Sequence, residues 1–234
     1  MNTILVTGAT GNVGRPLVHH LAAAGTDVRA VTRHPEPADF PPSVTQYRSA
    51  IEALVGADAM FMNSRALGDA MGATIDAARA AGVTRLVALS AINADDDFSR
   101  QPSRFRGDRN KEAEQLAVAS GLEWVSLRPT VFATNFAGMW APQLHLGDVV
   151  NGPFASASVA AIADGDIAAV AAQAFLTDDL LGQAIPLTGP QALTNTQMVE
   201  AIGAVLGRDL TYQEIPPELV RQRFIALGFG AEFA

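Results

Sequence analysis

Short apolar runs alternate with helical periodicities through the first half of the chain. Thr3–Thr7 (T-I-L-V-T) is β-branched and ends at a glycine, which predicts a buried parallel strand. Val13–Ala24 carries Val13, Leu17, Val18 and Leu21 on one helical face, and Gly25 closes it. Asp27–Thr32 alternates as a second strand, and the proline-rich stretch Pro35–Pro42 predicts a loop. A weak third strand over Val44–Tyr47, a short helix over Ile51–Val55 and a fourth strand over Ala57–Met62 follow. Asp69–Ala81 reads as a helix closed by Gly82, and Arg85–Ser90 as a fifth strand. Asp95–Asp108 is polar and highly charged and predicts a mobile loop. Arg109–Ser120 is a helix closed by Gly121, and Trp124–Leu127 a sixth strand. Strand-helix alternation of this kind implies an α/β fold with a doubly wound parallel sheet.

Beyond Pro129 the regularity weakens. Gly165–Leu176 is helical, with Asp164 and Asp166 where the helix dipole favours carboxylates. Ile185–Thr188 is a short strand. Thr194 with Gln197 forms a capping-box pattern at a helix start. Leu210–Glu214 reads as a strand and Glu218–Leu227 as a helix. Residues 1–130 are therefore expected to form the core, and residues 131–234 a smaller α/β lobe on the carboxyl edge of the sheet, partly integrated with it.

The 234 residues suffice for one large domain with such a lobe. A net charge of −8 disfavours nucleic acid and anionic membrane surfaces as partners. No apolar run of about 18 residues predicts a membrane span. The first strand starts at Thr3, so no signal peptide is expected, and a cytoplasmic location follows. Without cysteine there is no disulfide, zinc–thiolate site or cysteine nucleophile.

The segment Thr7-Gly8-Ala9-Thr10-Gly11-Asn12-Val13-Gly14 follows a strand and opens a helix. In that setting Gly8 permits a tight turn, Gly11 lets the backbone approach a pyrophosphate, and Gly14 lets helix and strand pack closely. The amides over Thr10–Gly14 and the helix N-terminus would supply positive potential. An NAD site places an acid about 20 residues further on. Here the second strand ends Val31-Thr32-Arg33-His34 instead. Arg33, with His34 and Arg15 nearby, suits the 2′-phosphate of NADP(H).

These segments, together with S-G-L-E-W-V-S-L-R-P-T-V-F-A-T-N, D-G-D-I-A-A-V-A and L-T-G-P-Q-A-L-T, resemble the NmrA-like group of atypical short-chain dehydrogenases/reductases. The likeness runs to about residue 215. That group has a Rossmann fold and includes NADPH-dependent quinone, triphenylmethane and carbonyl reductases, and redox sensors without turnover. The resemblance implies that Gly8, Gly11, Gly14 and Arg33 bind NADP(H) and that Asn63 lies by its ribose. It further implies that Pro129 and Thr130 flank the nicotinamide. Ser90 falls where short-chain reductases carry a catalytic Ser or Thr, and Lys111 where a lysine touches the nicotinamide ribose. Two departures stand out. Gly107, four residues before Lys111, occupies the position of the usual proton-donating tyrosine. The third strand runs through Tyr47-Arg48-Ser49, without the aspartate that usually sits near the adenine.

His19 and His20 read as helix surface, and the Asp95–Asp97 run as solvated loop; no metal is expected. Phe132, Phe136, Met139 and Trp140 share a helical face. Following the nicotinamide segment, Phe132, Phe136 and Trp140 could wall a pocket for a small apolar or aromatic substrate, with His145 facing it from an irregular region. The expected function is NADPH-dependent reduction of a carbonyl, quinone or similar conjugated acceptor, by a monomer or homodimer, with Ser90 binding the acceptor oxygen and Lys111 fixing the ribose or supplying a proton. The alternative is a non-catalytic NADP(H)-sensing regulator of the NmrA type.

Overall fold

The computed structural model describes residues 2–33, 40–226 and 228. In chain order the elements are β1 (Thr3–Thr7), α1 (Gly14–Ala23), β2 (Asp27–Val31), β3 (Thr45–Tyr47), α2 (Ala50–Ala53), β4 (Ala59–Asn63), α3 (Ser64–Leu67), α4 (Met71–Ala80), β5 (Arg85–Leu89), α5 (Asn110–Ala119) and β6 (Glu123–Pro129). They continue with α6 (Ala133–Leu144), β7 (Val149–Gly152), β8 (Ser158–Val159), α7 (Asp164–Leu176), β9 (Gln183–Leu187), β10 (Leu193–Thr194), α8 (Asn195–Leu206), β11 (Thr211–Glu214) and α9 (Pro217–Ala226).

Seven parallel strands among the described residues form one sheet, ordered β3-β2-β1-β4-β5-β6-β9. Side chains alternate across a strand, so a sheet covered on both sides needs unbroken apolar strands. In β1, Ile4 and Val6 enter the core shared with Leu17, Leu21, Ile167 and Phe175 of α1 and α7. Leu5 enters the opposite core, with Met60, Leu86, Ile75 and Ala113 under α4 and α5.

Two elements from beyond residue 130 complete this core. The α7 helix covers one face beside α1, and β9 extends the sheet past β6. The small lobe has a separate core of Trp140, Val150, Met198, Val199 and Leu210. It is built from α6, α8 and two short ribbons, β7 with β11 and β8 with β10.

Three expectations are corrected. Residues 64–70 are already helical: Asn63 caps α3, and a 3₁₀ turn at Gly68–Ala70 leads into α4. The Asp95–Asp108 segment is no loose loop. It holds 3₁₀ turns at Phe98–Arg100 and Pro102–Arg106, and buried Gln101 donates to the Asp96 carbonyl at 2.8 Å. Ion pairs Arg104–Glu112 and Arg65–Asp108, both 2.7 Å, and Arg128–Asp95 at 2.6 Å fasten it, so several of its charges are partnered while Asp95 and Asp97 stay exposed. The region after Asn135 is also regular, because α6 runs through to Leu144 and His145 is its C-cap.

Candidate functional site

The site starts from the turn after β1. Gly8 has φ +66°, a left-handed conformation that glycine adopts without strain. The Gly11 amide donates to the Gly8 carbonyl at 2.9 Å and the Ala9 amide to Val31 at 3.2 Å, which folds the loop back on β2. A Cβ on Gly14 would stand 2.2 Å from the Gly8 oxygen, so only glycine lets α1 start this close to the turn. Thr7 donates to the Phe61 carbonyl at 2.8 Å and accepts from the Asn63 amide at 2.9 Å, pinning the carboxyl ends of β1 and β4 together. Between those ends the winding of the sheet reverses, which is where open α/β sheets bind ligands.

A cleft of about 340 Å³ opens there. Gly8, Thr10, Gly11, Arg33, Asn63 and Arg65 line it, with Ile51 and Leu67 as an apolar side, and no carboxylate lines it among the described residues. Asn63 uses its side-chain oxygen to cap α3 at Arg65 and Ala66 (3.1 and 3.2 Å). Its amide nitrogen lies 3.1 Å from where a Cβ on Gly8 would sit, against the glycine turn. Val13 is only 3% exposed and packs in the core, so it can offer a ligand nothing but backbone. Asn12 donates to Thr134 at 3.0 Å and Thr134 to buried Asp164 at 3.1 Å, tying the glycine loop to α6 and α7. His34 lies outside the described residues. A cradle that a Cβ would fill and guanidinium groups at its mouth together fit a dinucleotide phosphate.

Arg48, just past β3, lines the same cleft and was not singled out from the sequence. Its signal lay in strand register, which pairs Val31 with Tyr47 and so brings Arg48, one residue past β3, to the same edge as Arg33, two residues past β2.

Ser90, Lys111, Pro129 and Thr130 stand further along the carboxyl edge and do not line this cleft. Ser90 is 2% exposed, with its hydroxyl 3.4 Å from the Asn110 carbonyl. Lys111 turns its ammonium to the Asp96 carbonyl at 3.3 Å and over the Phe98 ring at 5.6 Å. Both side chains donate to backbone carbonyls of the Asp95–Asp108 wall and the start of α5. Thr130 closes the end of β6 through its hydroxyl to Ala160 at 2.7 Å and its amide to Leu187 at 2.8 Å.

Beneath Ser90 lies a network that the sequence did not reveal. Glu114 accepts from Ser126 at 2.5 Å and from both Nε (2.9 Å) and a terminal nitrogen of Arg128, which also reaches Asp95. Burial pushes the Glu114 carboxyl up, but hydrogen bonds from Arg128, Ser126 and Ser90 outweigh it and hold it below its ordinary value. The same acids raise the Arg128 guanidinium further above its already high value.

The aromatic wall is also revised. Trp140 is 5% exposed, and Phe136 packs against it with ring centres 5.0 Å apart; both belong to the small-lobe core. Phe132 packs against the main core. His145 is exposed at the far end of α6, about 18 Å from the helix start at a rise of 1.5 Å per residue. None of these four lines the cleft.

A hollow of about 140 Å³ at the amino ends of the strands surrounds Arg85, whose charge is already met by Glu123 (2.8 Å) and Asp178 (2.5 Å). Among the described residues no group of His, Asp or Glu could hold a metal ion, and no helix is long and apolar enough to cross a membrane.

Comparison with known proteins agrees with this geometry. Residues 8–178 match the family model described as NAD(P)H-binding. A (4-alkanoyl-5-oxo-2,5-dihydrofuran-3-yl)methyl phosphate reductase of Streptomyces griseus is 34% identical over 95% of this chain and 80% of its own length. An NAD(P)H azoreductase of Xenophilus azovorans is 30% identical over 99% of this chain and 83% of its own. The Escherichia coli NADPH-dependent quinone oxidoreductase QOR2, solved with NADPH, superposes with a TM-score of 0.80 at 24% identity, over 98% of this chain and 86% of that one. The NmrA-like resemblance of the motifs holds in the fold as well.

Proposed function

The chain belongs to the NAD(P)H-binding family, and on that premise we propose that it is an NADPH-dependent reductase of a quinone-like or otherwise conjugated acceptor. The observation that carries the reading is Arg33, which lines the cleft just past β2, near where an NAD site would hold an acid. The glycine turn and the amides of Gly11–Gly14 hold the pyrophosphate, Asn63 borders the ribose, and Pro129 and Thr130 border the nicotinamide. When bound, the cofactor supplies a hydride, and one proton must complete the reduction.

The chain supplies no tyrosine four residues before Lys111, where Gly107 stands. Ser90 and Lys111 act in this reading by fixing the start of α5 and the Asp95–Asp108 wall, and the proton comes from water. Such a site suits acceptors whose product anion is delocalised. The names of the two relatives support that class: a dihydrofuranone whose double bond is conjugated to carbonyls, and an azo compound.

The test is NADPH oxidation against quinones, azo dyes, enones and simple ketones. Turnover is expected with the first three, with NADPH favoured over NADH at least tenfold, the size of one charge-assisted contact. A Ser90→Ala, Lys111→Ala double variant should keep turnover within about tenfold. A loss of roughly a hundredfold or more, as for removal of a general acid, would restore them as proton donors. The second reading is an NADP(H)-binding regulator without turnover, favoured by the absent tyrosine and the buried Ser90 hydroxyl. Tight NADP(H) binding with no acceptor reduced would select it.

A further inference from the structure

We propose that Arg48 is a second ligand for the 2′-phosphate and, with Arg33, sets the preference for NADP(H) over NAD(H). The inference rests on the NADP(H) reading above and adds a residue to it.

The placement follows from strand register. β2 and β3 run parallel with Val31 opposite Tyr47, and the ladder ends with the Thr32 amide donating to the Tyr47 carbonyl at 3.0 Å. Arg48 is the first residue past β3 and Arg33 the second past β2, so both leave the same carboxyl edge within one residue of each other. Neighbouring strands lie about 4.8 Å apart, so two long side chains leaving at that point can converge on one group. Both line the cleft and both are exposed.

Charge accounting points the same way. Neither Arg33 nor Arg48 has a hydrogen-bond or ion-pair partner among the described residues. Two other arginines of this region are committed: Arg29 donates to the Ala53 and Val55 carbonyls at 2.7 and 2.6 Å, and Arg65 grips Asp108 with two bonds of 2.8 and 2.7 Å. Two guanidinium groups at one mouth, neither with a partner among the described residues, repel each other, and an anion between them relieves this. A phosphate monoester carries a charge of about −1.5 to −2 and three acceptor oxygens, which two planar donor forks can share.

Arg48 also explains what happens to the adenine. An aspartate after β3 could accept from the ring's amino group, but a guanidinium has no acceptor. The ring then rests on the apolar side, Ile51 and Leu67, while Arg48 takes the phosphate.

The experiment measures NADP⁺ and NAD⁺ affinity by calorimetry for the wild type, Arg33→Ala, Arg48→Ala and Arg48→Asp, with thermal melts to check folding. Arg48→Ala should weaken NADP⁺ about tenfold to a hundredfold, the range for hydrogen bonds to a charged group, and leave NAD⁺ within about twofold. Arg48→Asp should weaken NADP⁺ further. Melting temperatures should not fall, because the side chain has no hydrogen-bond or ion-pair partner among the described residues. Equal weakening of both nucleotides would assign Arg48 to the adenine or the fold and overturn the proposal. Unchanged NADP⁺ affinity in Arg48→Ala, with preference lost in Arg33→Ala, would overturn it and leave the NADPH reading standing. A wild type binding both nucleotides equally would overturn the two together.

Discussion

Gly14→Ala adds a single methyl group, yet it should disturb both the fold and the cofactor site. The new Cβ would stand 2.2 Å from the Gly8 carbonyl oxygen and 2.9 Å from the Ala9 Cα. Both are backbone atoms in a turn braced by the Gly11-to-Gly8 bond of 2.9 Å, so no side chain can swing away. Ordinary contact needs about 3.5 Å, and the loop and the start of α1 must part by roughly 1 Å. Overpacking of this size costs about 1–3 kcal/mol, less a few tenths for the better helix former at the first position of the helix. For a chain of 234 residues that corresponds to a melting temperature lower by about 3–8 °C. The same shift moves the phosphate-binding amides off geometry, and NADP⁺ affinity should fall at least tenfold. Gly138→Ala is the control. It lies in α6 with nothing within 4 Å of its added Cβ, and should stabilise by up to about 1 kcal/mol. Thermal melts and calorimetry on both variants check this. A Gly14→Ala protein with wild-type melting temperature and affinity would refute the close-packing argument.

Glu114→Gln removes the charge that partners Arg128 while keeping the shape, and should cost about 2 kcal/mol at pH 7 in denaturant titrations, since Asp95 still partners Arg128. Because the folded-state carboxyl sits below its ordinary value of 4.5, its contribution is present above that pH and is lost as pH falls through the depressed value. Wild type and variant should therefore converge in acid, and a gap that stays constant down to pH 3 would count against the ion network. Thr194→Ala breaks the capping box at α8, where Thr194 accepts from Gln197 at 3.1 Å and donates its amide back at 2.9 Å. A loss of about 1 kcal/mol is expected, and no change in the melt would argue against the cap. Phe154 is the non-glycine residue with a left-handed backbone among those described, at φ +56°. Phe154→Gly should be neutral or stabilising by up to about 1 kcal/mol, whereas a clear loss would mean the ring packs usefully.

Much of the nucleotide half is legible in the chain itself. The β1 run, the glycine turn and α1 are a contiguous stretch in which each choice is local: apolar residues on both faces, glycine where φ is positive, and glycine where helix meets loop. The capping box at Thr194 is equally local and is found as expected. The stretches that misled did so for nonlocal reasons. Asp95–Asp108 looks solvated because its charges find partners at Arg65, Glu112 and Arg128, the first and last of them far along the chain. Trp140 and Phe136 look like a ligand wall because the elements that cover them, α8 and β11, come some 60 residues later. β7 and β8 are short and weakly patterned and exist only by pairing with β11 and β10.

The sequence by itself determined the parallel α/β core, the place of the phosphate turn and an arginine rather than an acid directly after β2, because periodicity, glycine conformation and charge at a strand end are properties of neighbouring residues. Only the tertiary structure decided which side chains share a site. It brought Arg48 and Arg33 to one cleft, turned Ser90 toward Asn110 and Glu114, and sent Trp140 into a second core. Those outcomes depend on strand order and register, which arise from contacts summed over the whole sheet and carry no mark in the local pattern.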